Sequence, residues 1–211
     1  YAQFTIHTQI SISMIDTQGK ILVAPPSMPD PRFAKTVIYI WRHDVSGAAG
    51  VVINKRCQKP DFAHVCNEGN VPRIASVKPP VHYGGPILNN IVGVLHSTDF
   101  VLPSTNTLNA EGKDGPIGFT LDRKMLEIVA QGGGPVNRLI TLGMANWATG
   151  QLEEEIEHPY NPAMSWLMLD YDEKIIFGQL EEDKPDDIWE ECVSKAIRIK
   201  TKEITAKVFK D

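Results

Sequence analysis

Residues 19–55 read GKILVAPPSMPDPRFAKTVIYIWRHDVSGAAGVVINK and contain three apolar runs from which a sheet can be predicted. The run KILVA predicts a short strand, because Pro25 and Pro26 cannot continue one. The runs TVIYIW and GVVIN are rich in β-branched residues and are separated by RHDVSGAA, a pattern that indicates two strands of a hairpin. Before the hairpin, DPRFAK predicts a brief helical turn capped by Asp30.

Further strands are predicted on the C-terminal side of this stretch. They are the runs VHYGGP and IVGVLH, joined by a Gly-Pro turn, and then RLITLGMA, SWLMLD and KIIFG. Residues 55–79 have no clear period and predict a loop with at most one short helix. Residues 103–116 are polar and rich in Gly, Asn and Ser, so they predict an exposed loop.

Two longer helices are predicted from apolar periodicity. LDRKMLEIVAQGGG can be capped by Asp122 and ended by its glycines. The second helix begins near Asp186 and places apolar residues on one side, namely Ile188, Trp189, Cys192, Val193 and Ala196. Strands that follow one another directly, with helices interspersed irregularly, predict a mixed sheet in an α/β or α+β domain.

The chain of 211 residues is long enough for one sizeable core, so one domain is expected. Residues 1–18 alternate polar and apolar side chains and predict an extended arm or strand, which could join copies of the chain into a homo-oligomer. Residues 19–198 are assigned to the domain. Residues 199–211 are assigned to a basic C-terminal tail, because the last part of the chain is rich in Lys and Arg.

Composition excludes some classes of protein. The formal net charge is −5, which argues against direct nucleic-acid binding, since that requires concentrated positive potential. No apolar run is long enough to span a bilayer, so no membrane association is expected. Three cysteines make an odd count that predicts reduced thiols in a cytosol-like compartment, hence a soluble protein of the cytoplasm, a plastid or a host cytosol rather than a secreted one.

Four blocks in this order resemble the AlgH/YqgE-like family of small bacterial, plastid and phage-borne proteins. They are residues 19–55, YGGPILNNIVGVLH at 83–96, LGMANWATGQLEEEI at 142–156, and WLMLD from Trp166. The resemblance implies a compact single domain whose strands curl into a partly barrel-like sheet with helices packed outside. The family name carries an association with transcriptional regulation of alginate production, without an established molecular activity or a recognised DNA-binding motif. The link HPYNPAMS at 158–165 is longer than is usual in the family.

These blocks cluster at turns, where sheet proteins often place ligand sites. We therefore expect a non-enzymatic protein that binds a small molecule or another protein in a regulatory role, with no cofactor and no metal. The alternatives are an enzyme with a His-based acid/base site, and a nucleic-acid-linked regulator or assembly subunit. The candidate ligand-binding residues are Pro26, Met28, His43, Asn54, Gly84, Gly85, Pro86, His96, Trp147 and Glu155.

Neighbouring side chains on a strand point to opposite faces, so His43 and Asp44 cannot easily form a dyad. Asp44 is expected to stabilise the DVSG turn, while His43 meets a partner elsewhere. The GGP sequence at residues 84–86 lacks the Gly-Lys-Ser/Thr ending of a phosphate loop. Its glycines instead permit close approach of either a neighbouring strand or a ligand.

Two clusters of potential metal ligands are interpreted as structural. In GQLEEEI each helical residue turns by about 100°, so the glutamates diverge around the buried stripe of Leu152 and Ile156. Glu155 is expected to pair with Gln151 or with a neighbouring base. In CQKPDFAHVC, the two cysteines and the histidine between them lack the fourth ligand and the tight Cys spacing of a structural zinc site.

Overall fold

The computed structural model describes residues 16–108, 114–157, 164–178 and 185–208. The alternating residues of the predicted N-terminal arm, from Phe4 to Met14, and residues 158–163 of the long link lie outside the described residues. The described strands are β1 (Ile21–Val23), β2 (Val37–Asp44), β3 (Gly47–Val52), β4 (Val81–Tyr83), β5 (Ile87–Ser97), β6 (Asn106–Leu108), β7 (Asp114–Thr120), β8 (Arg138–Trp147) and β9 (Leu167–Leu169). The described α-helices are α1 (Phe62–Glu68), α2 (Arg123–Ala130), α3 (Gln151–Glu157), α4 (Glu173–Phe177) and α5 (Pro185–Val208).

All nine strands belong to one mixed sheet with the order β6-β7-β5-β8-β3-β2-β1-β9 among the described residues. Strand β8 organises the sheet. On one edge it pairs with β5 antiparallel, and on the other edge it pairs antiparallel with β3 and, further toward its N-terminus, parallel with β4. The β2–β3 hairpin and the mixed sheet confirm the prediction from residues 19–55.

The sheet curls without closing. A register shift between Ile40 and Arg42 marks an irregularity at Trp41 in β2. The Trp41 ring stacks on Phe119 of β7 with 4.7 Å between ring centroids. The Asn106 side chain of β6 donates to the Trp41 carbonyl at 3.3 Å, so the far edge of the sheet approaches β2. This geometry confirms the predicted partly barrel-like curl.

The buried residues form three clusters, each beneath different helices. The first packs α4 and α5 on β1, β2 and β9, with Trp189 donating its indole N–H to the Ala24 carbonyl at 2.8 Å. The second packs α1 and α2 on β4, β5 and β8. The third lies between α3, Trp166 and the ends of β1, β2, β3 and β8. Residues of the first and third clusters alternate along β1 and β2, so helices pack on both faces of the curled sheet.

Aspartate side chains cap two helix starts, of which the Asp122 cap was predicted. Asp122 accepts from the Lys124 amide at 2.9 Å at the start of α2, and Asp61 accepts from the His64 amide at 2.9 Å in the one helix of residues 55–79. The DPRFAK segment forms the predicted single turn, in which the Asp30 carbonyl accepts from the amides of Phe33 and Ala34 and the Asp30 side chain accepts from the Arg32 amide. No helix in the described part of the chain is both long and apolar enough to cross a membrane.

Two element predictions are wrong. KIIFG is helix α4 rather than a strand, because Asp172 caps it through the Lys174 amide at 3.0 Å. Its three consecutive apolar residues are all buried, and such a short run has no period that separates strand from helix. Residues 103–116 are not wholly a loop, since β6 and the start of β7 form a hairpin within them. Helix α5 extends to Val208, so it includes most of the residues assigned to the basic tail.

Candidate functional site

A cleft opens where α3 leaves the end of β8, and three of the predicted ligand-binding residues line it. Its volume is about 280 Å³. We call it the indole cleft, after the two tryptophans in its wall. Its apolar lining comes from Met28, Pro29, Phe33, Trp147, Met164 and Trp166, and its polar lining from Asp30, Arg32, Asn146, Gln151 and Glu155. The predicted candidates Met28, Trp147 and Glu155 therefore meet at one place.

The turn from β8 into α3 positions these groups. Gly150 adopts a left-handed φ of +77°, which lets the chain reverse within three residues of Trp147. The Ala148 amide donates to Gln151 Oε1 at 3.0 Å and the Gln151 amide donates to the Ala148 carbonyl at 3.0 Å. This pair of hydrogen bonds fixes the first turn of α3 and directs the Glu155 side chain back toward β8.

The Glu155 carboxylate is the centre of the cleft wall. Its Oε2 accepts the indole N–H of Trp147 at 2.9 Å and the indole N–H of Trp166 at 2.8 Å. Its Oε1 accepts from Gln151 Nε2 at 2.8 Å, which confirms the predicted pairing of Glu155 with Gln151. Backbone bonding adds to this, since the Trp166 amide donates to the Glu155 carbonyl at 3.2 Å. One carboxylate thus joins β8, α3 and the chain before β9.

The aromatic rings of the cleft stand at right angles. Trp147 and Trp166 have ring centroids 6.1 Å apart at an angle of 80°, and Phe33 and Trp166 have centroids 5.9 Å apart at 81°. At the rim, Arg32 forms a bidentate ion pair with Asp30, with Nη2 at 2.6 Å from Oδ2 and Nε at 3.0 Å from Oδ1. The hydrogen bonds from Arg32 lower the pKa of Asp30 below its usual value.

His43 lies on the opposite side of α3 from the cleft. Its Nδ1 accepts from the Thr17 amide at 3.3 Å and lies 2.9 Å from Thr17 Oγ1, so the ring proton is assigned to Nε2. That nitrogen donates to Glu153 Oε1 at 3.2 Å, and the His43 and Glu153 side chains are only 2% and 10% exposed. Asp44 instead accepts from Ser46 across the turn, so the two neighbouring residues have separate partners, as expected.

Gly84, Gly85 and Pro86 form a chain crossing. Strands β4 and β5 lie on opposite edges of β8, so the segment between them must pass over it. A Cβ on Gly84 would lie 2.3 Å from the Gly143 carbonyl oxygen, and one on Gly85 would lie 2.2 Å from the Met144 carbonyl carbon. The object that approaches these glycines is therefore strand β8, which was one of the two alternatives predicted from the sequence.

The remaining candidates lie apart from the cleft. Asn54 is buried and bonds to backbone, accepting from the Val37 amide at 2.8 Å and donating to the Lys35 carbonyl at 2.9 Å. His96 is buried between the Ser97 carbonyl and the Thr120 hydroxyl, and burial lowers its pKa. Pro26 is exposed on the turn after β1 and does not line the cleft.

The cysteine–histidine stretch does not converge. Cys57 and His64 line different surface depressions, and Cys66 is fully buried on the inner side of α1. Among the described residues, no group of three His, Cys, Asp or Glu side chains is arranged to hold a metal ion. The glutamates of α3 likewise separate, since Glu153 faces His43, Glu155 faces the indoles and Glu154 is exposed.

Comparison with known proteins identifies the family. A family model described as AlgH-like, DUF179, matches residues 21–199. The chain belongs to the AlgH-like family. A UPF0301 protein of Cereibacter sphaeroides is 34% identical over 165 residues, covering 78% of this chain and 85% of that protein. A UPF0301 protein of Nitrobacter hamburgensis is 36% identical over 174 residues, covering 79% of this chain and 76% of that protein.

A solved structure agrees with the AlgH-like fold. The solution structure of the AlgH protein from Pseudomonas aeruginosa is 28% identical and has a TM-score of 0.67, covering 88% of this chain and 90% of that chain. The resemblance of the four sequence blocks is therefore confirmed. Because the AlgH-like family is of uncharacterised function, the comparisons supply a fold and no reaction, and the function must be argued from the cleft itself.

Sequence reasoning missed several residues of this AlgH-like site. Next to the cleft, the sequence predicts only that Glu153 diverges from the other glutamates around the buried stripe, yet it is buried against His43. Its position three residues before Ile156, on the same side of α3, is the signal that it could reach the sheet. Trp166 and Arg32 reach the cleft from distant segments, and no local spacing predicts that convergence.

Proposed function

We propose that this protein is a non-enzymatic binding protein that holds a small organic group in the indole cleft and serves a regulatory role. The observation that carries the proposal is the convergence of two indole N–H groups on the single carboxylate of Glu155. These bonds hold the rings in place before any ligand arrives, and preorganised walls reduce the ordering cost of binding.

The composition of the cleft supports a ligand site over a packing defect. Ligand sites combine an apolar and aromatic lining with a small number of placed polar groups. The indole cleft has Met28, Phe33 and two tryptophans, together with an amide at Gln151 and an ion pair at its rim. The carboxylate of Glu155 satisfies both buried indole donors and so fixes the wall that a ligand would contact.

A ligand screen tests this proposal. Binding to the folded protein must raise its melting temperature, so a panel of metabolites and peptides should contain compounds that do so. The informative variant is Glu155→Gln, which weakens the anchor of both indoles, and the matched control is Glu154→Gln on the exposed side of α3. A true cleft ligand loses its thermal shift in the first variant and keeps it in the second. Retention of the full thermal shift in Glu155→Gln would show that the ligand binds elsewhere. A panel in which no compound raises the melting temperature would count against the proposal.

The His43–Glu153 pair supports a second candidate, an enzyme with an acid/base histidine. The arrangement of Thr17, His43 and Glu153 places a hydroxyl and a carboxylate on the two nitrogens of one imidazole. Both the Thr17 residue and the His43 side chain are almost wholly buried, which favours a role in holding α3 on β2 over contact with a substrate.

The two candidates separate in the His43→Gln variant. A structural histidine predicts lower stability with unchanged ligand affinity per folded molecule. If a substrate is found and its turnover falls by a factor of roughly 100 or more in His43→Gln at temperatures where the variant is folded, acid/base catalysis is supported and the binding-only account is wrong.

A further inference from the structure

We infer that the group recognised in the indole cleft is an alkylated ammonium cation, held by aromatic faces beside the carboxylate of Glu155. The inference rests on the proposed function, since it names the chemical class of ligand for that same cleft. It is carried by the geometry of three rings, by the local charge and by the size of the cleft.

The rings form the walls of an aromatic cage. Phe33, Trp147 and Trp166 all line the cleft, and Trp166 stands at 81° to Phe33 and 80° to Trp147. Each pair is an edge-to-face contact, so the three rings meet at right angles instead of stacking into a flat slot for a planar ligand. Aromatic faces attract cations through the ring quadrupole, and cages of this kind bind quaternary ammonium groups.

The hydrogen bonds to Glu155 leave its negative charge without a partner cation in the described residues. The three donors that reach its carboxylate are neutral N–H groups of Trp147, Trp166 and Gln151. The guanidinium of Arg32, which lies 5.8 Å from the Phe33 centroid, is already paired with Asp30. The described lining residues therefore supply one cation and two carboxylates, a balance that attracts a positive ligand and disfavours a phosphate or carboxylate.

The size of the cleft restricts the ligand further. A volume of about 280 Å³ is at the lower limit of the roughly 300–1,000 Å³ typical of drug-sized ligand pockets. It suits a compact head such as a trimethylammonium group better than a nucleotide. Met28 and Met164 extend the lining with flexible thioethers, which adapt well to methyl groups.

Calorimetric titration with choline and with its uncharged isostere 3,3-dimethylbutan-1-ol tests the inference. The two probes have the same shape, so a difference in affinity reports the charge. We expect choline to bind at least about tenfold more tightly, since a desolvated cation–π contact is worth more than a factor of ten in affinity. A peptide carrying trimethyl-lysine presents the same group, and comparison with choline shows whether a free metabolite or a protein side chain is its source.

Two variants locate the binding. Phe33→Leu removes one wall while keeping apolar volume, and Glu155→Gln removes the charge while keeping an acceptor oxygen. Each is expected to weaken choline binding at least about fivefold, while Glu154→Gln, which removes the same charge from the exposed side of α3, changes it by less than twofold.

The possible results of these titrations lead to different conclusions about the ligand and its site. Equal affinity for choline and its isostere, with loss in Phe33→Leu, overturns the cationic class and leaves the cleft as a ligand site. Binding of choline that ignores both variants overturns the location. The absence of choline and trimethyl-lysine binding overturns the inference, while a neutral compound from the thermal screen that depends on Glu155 would still support the proposed function.

Discussion

Glu155 is the residue on which the indole cleft depends most. Its replacement by Ala would leave the Trp147 and Trp166 indoles without their acceptor, and each buried donor left unpaired costs about 1–3 kcal/mol. We expect Glu155→Ala to lower the free energy of unfolding by roughly 2–5 kcal/mol, measured by urea denaturation. Glu154→Ala, one position earlier and exposed, should change it by less than about 0.5 kcal/mol. Equal effects of the two variants would contradict the assigned role.

The buried residue His82 makes the free energy of unfolding depend on pH. The residue is fully buried on β4, neither ring nitrogen has a described hydrogen-bond partner, and burial lowers its pKa to about 4. The unfolded chain takes up this proton near pH 6.5, whereas the folded chain resists it, so stability is full above pH 6.5 and falls as the pH drops to about 4. That interval corresponds to roughly 3 kcal/mol.

The His82→Leu variant tests this dependence. It should match the wild-type protein at pH 7, because it removes a buried imidazole whose nitrogens lack described partners, and it should lose much less stability between pH 6.5 and 4. His64→Leu is the control, since His64 is exposed on α1. Denaturation curves at several pH values measure both. An unchanged pH profile in His82→Leu would show that other groups, such as His96, govern acid stability.

The crossing of the β4–β5 connection over β8 depends on glycine. Gly143 has φ +75° and a Cβ there would lie 2.5 Å from the Gly85 carbonyl oxygen, whereas Gly150 has φ +77° and nothing within 4 Å. Alanine at either position bears the cost of a left-handed backbone, about 1–2 kcal/mol. Only Gly143→Ala adds a clash with backbone. We expect Gly143→Ala to be the more destabilising by at least about 2 kcal/mol, and a similar loss in both variants would contradict the crossing.

The same elements show what sequence can and cannot predict. The β2–β3 hairpin, α2 and the α3 start were predictable because β-branched runs, Asp122 and the LEEEI pattern carry local signals. Strand β6 was missed because it has only three residues, two of them polar, and lies in a stretch rich in turn-forming residues. Helix α4 was missed because a run of three buried apolar residues fits either period. Within the site, the Glu155–Gln151 pair is predictable because both residues lie on α3, one turn apart. The Glu155–Trp166 and His43–Glu153 pairs join distant segments, so no local pattern predicts them.

Helix α5 packs along one side of the molecule, and only the first half of this helix is buried. Trp189, Cys192, Val193 and Ala196 are buried against β1 and β9, while described side chains from Ile197 onward are exposed. Deleting residues 200–211 should therefore change the free energy of unfolding by less than about 1 kcal/mol. Trp189→Ala should cost about 3–5 kcal/mol, because it removes a large buried ring and its bond to Ala24. Chemical denaturation compares the two. A large loss on truncation would show that the exposed half of α5 contributes to the fold.

The indole N–H resonances test the central claim, that the indole cleft is the ligand site, most directly. The chain has four tryptophans, of which Trp147 and Trp166 line the cleft, while Trp41 stacks on Phe119 of β7 and Trp189 lies on the buried face of α5. A ¹H–¹⁵N spectrum recorded during titration with choline should shift the Trp147 and Trp166 signals together and leave the other two unchanged. Saturable shifts confined to Trp41 or Trp189, or no shift at all with any ligand that stabilises the protein, would contradict the account.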